Sequence, residues 1–207
     1  MITLFLEPWS HWCVKVQKIM SYKKVPYQVS RVGAHDKREL IKATGQDYVP
    51  AIVDGKEIVT YPDIPDHLEK LAPQPTIYPD HTKAVAKAIE NWAHYRLEEM
   101  VWRYSVPDMP KTFEDDVERW VFIEMQETKR GPLEAMAANR AGLKADMEGH
   151  FRILESMLAD HKFLLSEQPS LADFAVFGAI TPLTYSGNTI PSEFKALTNW
   201  SRTIDKI

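Results

Sequence analysis

The sequence predicts an α+β unit with the element order βαβαββα, followed by an all-α helical bundle. Short β and helical signals alternate over residues 1–71, and an Asp-Gly pair separates two apolar runs within them. Beyond residue 80 the apolar residues recur only at helical spacing.

Ile2–Leu6 is an apolar run and reads as a strand, with Pro8 to Ser10 as the loop after it. Over residues 13–24, Val16, Ile19 and Met20 fall on one helical face. Residues 26–32 alternate as a second strand does. Residues 36–44 carry Leu40 and Ile41 and stop at Gly45, a residue suited to a left-handed helix cap. Residues 49–53 and 56–60 flank Asp54-Gly55 and so predict an antiparallel hairpin. Residues 62–71 form a helix that opens on prolines, which a first turn tolerates.

Residues 72–79 hold Pro73, Pro75 and Pro79, a stiff stretch with few ladder donors, and divide a domain at 1–71 from one at 80–207. Helical spacing then runs over 80–104 (Val85, Ile89, Trp92, Leu97, Met100) and 112–130 (Val117, Trp120, Val121, Met125). Gly131-Pro132 permits a break. A stripe through Leu133, Met136, Leu143, Met147, Phe151, Leu154 and Leu158 follows, interrupted only by Arg140. Residues 171–183 and 191–204 complete the bundle.

The composition fits two small globular domains: 207 residues, 44% hydrophobic and 26% charged. A net charge of −4 with no concentrated basic face opposes a nucleic-acid partner. The single Cys13 excludes an internal disulfide, and no Cys/His set has metal-ligand spacing. Met1 leads straight into a strand too short for a signal sequence, and the longest late apolar run contains Asp173. A cytoplasmic protein without membrane contact is expected.

Four segments stand in order along the chain: Glu7-Pro8-Trp9-Ser10-His11-Trp12-Cys13-Val14-Lys15-Val16; Tyr48-Val49-Pro50-Ala51-Ile52-Val53-Asp54-Gly55; Ile64 with Leu68-Glu69; and Phe163-Leu164 followed by Pro169-Ser170-Leu171-Ala172-Asp173-Phe174. Together they resemble the cytosolic glutathione S-transferases, in turn the family's entry into its first helix, its hairpin, its third helix and its late capping segment. The resemblance implies a thioredoxin-like domain ahead of an all-helical one, usually in a homodimer, with glutathione as co-substrate and a small hydrophobic electrophile as its target.

It also implies a site. Glutathione attacks only as the thiolate, so lowering the thiol pKa is the catalytic task. Ser10 corresponds to the family's catalytic serine, ahead of a helix N-terminus that adds partial positive charge; the residues alone favour a helix cap, and the resemblance favours the thiolate role. Trp12 stands beside it on the glutathione side. Val49-Pro50 corresponds to the family's cis-proline, whose preceding residue pairs through its backbone with the cysteinyl moiety, as an added strand would. His35 and Lys37 are the implied partners of the glycine carboxylate. The acid and serine that grip the γ-glutamyl end are replaced by Thr60 and Tyr61; their hydroxyls and the following helix N-terminus are the remaining donors, with Asp63 as the available charge.

Trp9, Trp102 and Tyr104 are candidates for the co-substrate pocket, as aromatics would suit a hydrophobic electrophile. Cys13, three residues after Ser10, is either a buried small hydrophobe or a reactive thiol. Ser170-Leu171-Ala172-Asp173 reads as a capping box serving folding. His67, His81, His94, His150 and His161 show no ligand spacing and read as surface or packing residues. Two alternatives stay open: a binding or scaffold protein of this fold that no longer uses glutathione, and a thiol-disulfide enzyme working through Cys13 alone.

Overall fold

The computed structural model describes residues 1–207, the side chain of Asp80 excepted. The first unit is a thioredoxin-like sheet of four strands, β1 (Ile2–Leu6), β2 (Tyr27–Arg31), β3 (Ala51–Asp54) and β4 (Glu57–Thr60), in the order β2-β1-β3-β4. β1 runs parallel to β2, with Leu4 opposite Val29, and antiparallel to β3, with Phe5 opposite Ala51. Asp54 faces Glu57 across the hairpin, and Gly55 takes φ 62 at its tip.

Three helices cover the sheet: α1 (His11–Tyr22), α2 (Arg38–Thr44) and α3 (Ile64–Leu71). α1 begins two residues earlier than periodicity predicts. The apolar stripe starts only at Cys13, and Ser10, in extended geometry at the cap, sets the true boundary. α2 starts two residues later than predicted, at Arg38. The Asp36 carboxylate accepts the Arg38 N–H at 3.2 Å ahead of it, and Gly45 closes the helix at φ 74. α3 begins at Ile64, after a cis Tyr61-Pro62 peptide; Val49-Pro50 is also cis.

The helical unit comprises α4 (Lys83–Trp92), α5 (Glu98–Ser105), α6 (Asp116–Arg130), α7 (Leu133–Ala138), α8 (Arg140–Asp160), α9 (Leu171–Tyr185) and α10 (Lys195–Asp205). The helix expected over 80–104 is interrupted by a π-helical stretch, Ala93–Leu97, which rotates the helix face around His94. The stripe through Arg140 is likewise two helices joined at Asn139. Arg140 is no flaw in it, because its guanidinium pairs with Asp108 and lies 4.7 Å above the Tyr104 ring.

α9 is apolar on all sides, and every residue from Leu171 to Leu183 is buried, as befits the central helix of a bundle. It packs on α1, α4 and α5, joining both units into one core that runs from Leu4 and Ile19 to Phe174 and Trp200. Asp173 anchors its start. The buried carboxylate accepts bonds from the Ser170 N–H (2.9 Å) and hydroxyl (2.7 Å), the Leu164 N–H (2.9 Å) and the Trp200 indole (2.8 Å). The Ser170 hydroxyl therefore donates to Asp173. No helix is long and apolar enough to cross a membrane, and among the described residues no cluster has the makings of a metal site.

Candidate active site

The site is assembled where the loop after β1 meets the N-terminus of α1. The Ser10 N–H donates to the Glu7 carbonyl at 3.1 Å, and the Ser10 carbonyl accepts the Val14 N–H at 3.0 Å, so the backbone here is fixed from both sides. The Ser10 hydroxyl makes no capping bond to α1. It faces the thiol of Cys13 one turn along. Cys13 is fully buried, and burial pushes its thiol up to about 12 against the opposing effect of the Ser10 hydroxyl. A thiol held so far into the protonated range is a poor nucleophile.

Trp12 leaves the same turn on another side. Its ring lies edge-on to those of Tyr61 and His94, and the Trp12 and Tyr61 rings flank the buried Lys15. The Lys15 ammonium sits 4.2 Å from the Tyr61 ring centre and 4.9 Å from that of Trp12, and donates to Glu90 of α4 at 2.6 Å. Burial lowers the Lys15 pKa and Glu90 raises it again; at 2.6 Å the pair is held as an ion pair. Burial and the Glu90 carboxylate push the Tyr61 phenol up, so its hydroxyl remains a donor at neutral pH. Thr60 ends β4 opposite Ala51, next to Pro50, and its carbonyl accepts the Asp63 N–H at 2.9 Å. The β1–β3 ladder stops at Ala51, leaving Val49 beyond it.

His35 and Lys37 lie between β2 and α2 and meet acids from both units. His35 is 3.8 Å from Glu118 of α6, whereas Lys37 is 4.0 Å from Glu7 and donates to the Asp47 carbonyl at 2.8 Å. Glu7 is itself perturbed: burial raises its carboxyl to about 7, opposed by Lys37 and reinforced by Glu118. Sequence spacing does not mark Glu7, whose carbonyl holds Ser10, or Glu118 as site residues. A lone acid carries no periodic signal, although Glu7 stands next to the Pro-Trp-Ser run.

The aromatic candidates are largely engaged with the protein. Trp9 packs edge-on against Phe122 at 5.3 Å and Trp102 at 6.3 Å, and Trp102 is only 3% exposed. Tyr104 lies under Arg140. Behind them runs a polar network that sequence spacing missed. The His11 Nε2 is 3.5 Å from the His94 Nδ1, the Trp102 indole donates to the His11 Nδ1 at 3.5 Å, and Glu98 stands 3.5 Å from the same nitrogen. His94 thus belongs to the site's packing, 83 residues away in sequence from its partner.

Arg130 contacts Glu98 at 3.2 Å and Glu99 at 3.1 Å and lies 5.2 Å from the Trp102 ring centre. One carboxylate suffices to balance the guanidinium. The more deeply buried Glu98 is the one raised, by burial, to about 7. His11 is held well below the usual histidine range by burial and by His94, so its contact with Glu98 is not an ion pair at neutral pH.

Two family models match the chain: the glutathione S-transferase N-terminal domain over residues 4–76 and the glutathione S-transferase C-terminal domain over residues 137–203. The chain belongs to the glutathione S-transferase family. No curated protein matches it by sequence. A glutathione transferase of Phanerochaete chrysosporium superposes with a TM-score of 0.83 at 18% identity, covering 99% of this chain and 96% of that one. Glutaredoxin 2 of Salmonella typhimurium, in complex with glutathione, gives 0.78 at 20% identity, covering 100% and 94%. A glutathione S-transferase of Ceriporiopsis subvermispora, also in complex with glutathione, gives 0.76 at 20% identity, covering 99% and 96%. These likenesses show the fold.

Proposed function

We propose that the protein is a glutathione-dependent transferase in which the Ser10 hydroxyl stabilises the glutathione thiolate for attack on a small hydrophobic electrophile. The observation that carries the reading is that Ser10 stands at the N-terminus of α1 without capping it. Ser10 is buried and its hydroxyl faces the Cys13 thiol, so turning from that thiol would let it donate to an incoming sulfur, where the helix N-terminus adds partial positive charge. In this reading the Val49 backbone pairs with the cysteinyl moiety, Lys37 and His35 meet the glycine carboxylate, and Trp12, Thr60 and Tyr61 face the γ-glutamyl end. The exposed part of Trp9, backed by Trp102 and Tyr104, meets the co-substrate. Conjugation, isomerisation and ether cleavage all begin from the same thiolate. The protein acts in the cytoplasm as a homodimer.

The raised pKa of the fully buried Cys13 weighs against the single-thiol alternative. The test is retention on immobilised glutathione, together with conjugation to 1-chloro-2,4-dinitrobenzene. Ser10→Ala is expected to lower kcat/KM by about tenfold to a hundredfold, the equivalent of a charge-assisted bond of about 1.5–3 kcal/mol. Cys13→Ala should leave it nearly unchanged. No retention, with no conjugation and no thermal shift at millimolar glutathione, would favour the scaffold reading.

A further inference from the structure

α6 lies between the stretches that the two family models cover, which end at residue 76 and resume at residue 137. Its main neighbours are α7 and the 3-10 turn Met109–Thr112, and on its outer face Val117 and Trp120 are more than half exposed. The inward face repeats every four residues, so that Glu118, Phe122, Gln126 and Arg130 follow one another along it. At the base of the helix, Arg130 donates to Gln126 at 2.6 Å and to Glu98 and Glu99 at 3.2 and 3.1 Å, which fixes that end.

In the middle of the helix, Phe122 is fully buried, its ring centre 5.3 Å from that of Trp9, 4.8 Å from that of Phe113 and 6.2 Å from that of Trp102. It fills the aromatic recess in which an apolar co-substrate would lie against Trp9 and Trp102. At the tip, the Glu118 carboxylate stands 3.8 Å from Nδ1 of His35, on the loop between β2 and α2. Gly33 makes room for it. A Cβ there would be 2.8 Å from Oε1 of Glu118, and Gly33 has no positive φ that would otherwise call for glycine. Both side chains of the Glu118–His35 contact are partly exposed, and ion pairs of that kind contribute little. α6 is thus held firmly at its base and weakly at its tip, with a ring from its middle inside the recess.

We propose that Phe122 and Glu118 determine co-substrate specificity: α6 is a gate to the aromatic recess, with Phe122 as its plug and the Glu118–His35 contact as its latch. When the tip of α6 swings out, Phe122 leaves and the ring of a co-substrate takes its place; while it is latched, only a small electrophile reaches the sulfur. The proposal rests on the glutathione-dependent reading above, in which Trp9 and Trp102 meet the co-substrate.

The test compares methyl isothiocyanate with benzyl isothiocyanate as partners of glutathione. In both, the thiolate sulfur adds to the central carbon, the nitrogen takes up a proton and nothing leaves, so the two differ in the group that must be housed. Phe122→Ala should raise the benzyl-to-methyl ratio of kcat/KM by about tenfold over the wild type. Phe151→Leu, in the main core against Phe194, should lower Tm and leave the ratio unchanged. If Phe122→Ala does not fold by circular dichroism, Phe122→Leu serves in its place, with a rise in the same direction.

Hydrogen exchange reads the latch. Glu118→Gln should speed amide exchange over residues 33–37 and 116–122 together, by about twofold to fivefold. Arg119→Gln, which breaks a pair with Asp116 on the same helix, should leave residues 33–37 unchanged. Turnover with an unchanged ratio in the Phe122 variant, or unchanged exchange in Glu118→Gln, would overturn the proposal alone. No turnover of either compound by the wild type would overturn the transferase reading and this proposal with it.

Discussion

The rings of His11 and His94 stack, with their centres 5.7 Å apart and Nε2 of the first 3.5 Å from Nδ1 of the second. Two imidazoles at this range cannot both carry a proton charge without repulsion, and burial pushes both toward neutrality.

The pH dependence of stability follows from this pair and its neighbours. Burial, with Lys15 and Lys129 adding repulsion, lowers His94 from 6.5 to about 4, so between those values the unfolded chain binds more protons. The stability from neutral His94 is present above pH 6.5 and is lost as the pH falls toward 4. Glu7 and Glu98 act oppositely. Burial raises both from 4.5 to about 7, so the folded state binds more protons and their contribution is lost as pH rises through that window. His94→Phe keeps an aromatic ring against Trp12 and removes one titration. Its Tm should fall less than that of the wild type between pH 6.5 and 4. Parallel Tm–pH curves would show that His94 is not held neutral.

Gly178 lies at a close approach of α9 to α1. A Cβ there would stand 2.5 Å from the His11 carbonyl, a backbone atom at the first turn of the site helix. Gly178→Ala must shift one helix against the other. Overpacking of this kind costs about 1–3 kcal/mol. Thermal denaturation should register that loss, and activity should fall further than stability because Ser10 moves with the turn. An alanine variant with unchanged Tm and unchanged kcat/KM would refute the close contact.

The Lys15–Glu90 pair ties α1 to α4 beneath Trp12 and Tyr61. Glu90→Gln leaves a buried ammonium without its counter-charge and should cost about 3–5 kcal/mol in denaturant unfolding. Lys15→Met/Glu90→Met, which removes both charges, should recover most of that loss. A double variant no more stable than Glu90→Gln would mean that hydrogen bonding, not charge balance, is the main contribution.

Local signals carried the legible part of the fold. The Asp54-Gly55 turn, the Gly45 cap and the Ser170–Asp173 capping segment each depend on residues within a few positions, and the structure holds each at the expected place. The apolar stripes showed which faces are buried but not what covers them. Nothing in the spacing of Trp9, Trp102 and Tyr104 tells that Phe122 and Arg140 occupy their faces. The spacing of His94 marks it as a packing or surface residue; its place against Trp12 depends on the π-helical turn at Ala93–Leu97 and on a partner 83 residues away. Tyr61 gave no hint that its ring would be set over Lys15, because that contact needs α1, β4 and α4 together.

Tyr185, at the end of α9, donates its hydroxyl to the Pro8 carbonyl at 2.5 Å and so reaches from the helical unit to the loop that presents Ser10. Tyr185→Phe removes this bond and leaves the ring's packing against the cluster around Trp102 and Phe122 in place. A net hydrogen bond contributes about 1 kcal/mol, which in a chain of this size corresponds to a Tm decrease of about 2–4 °C. The loop would gain freedom just where the hydroxyl must meet a sulfur, so kcat/KM for glutathione conjugation should fall by about threefold to tenfold, mostly through kcat, since misplacement weakens the reacting geometry more than binding. A loss confined to KM would instead place Tyr185 in substrate binding, and no kinetic change at all would show that the Pro8 contact does not position Ser10.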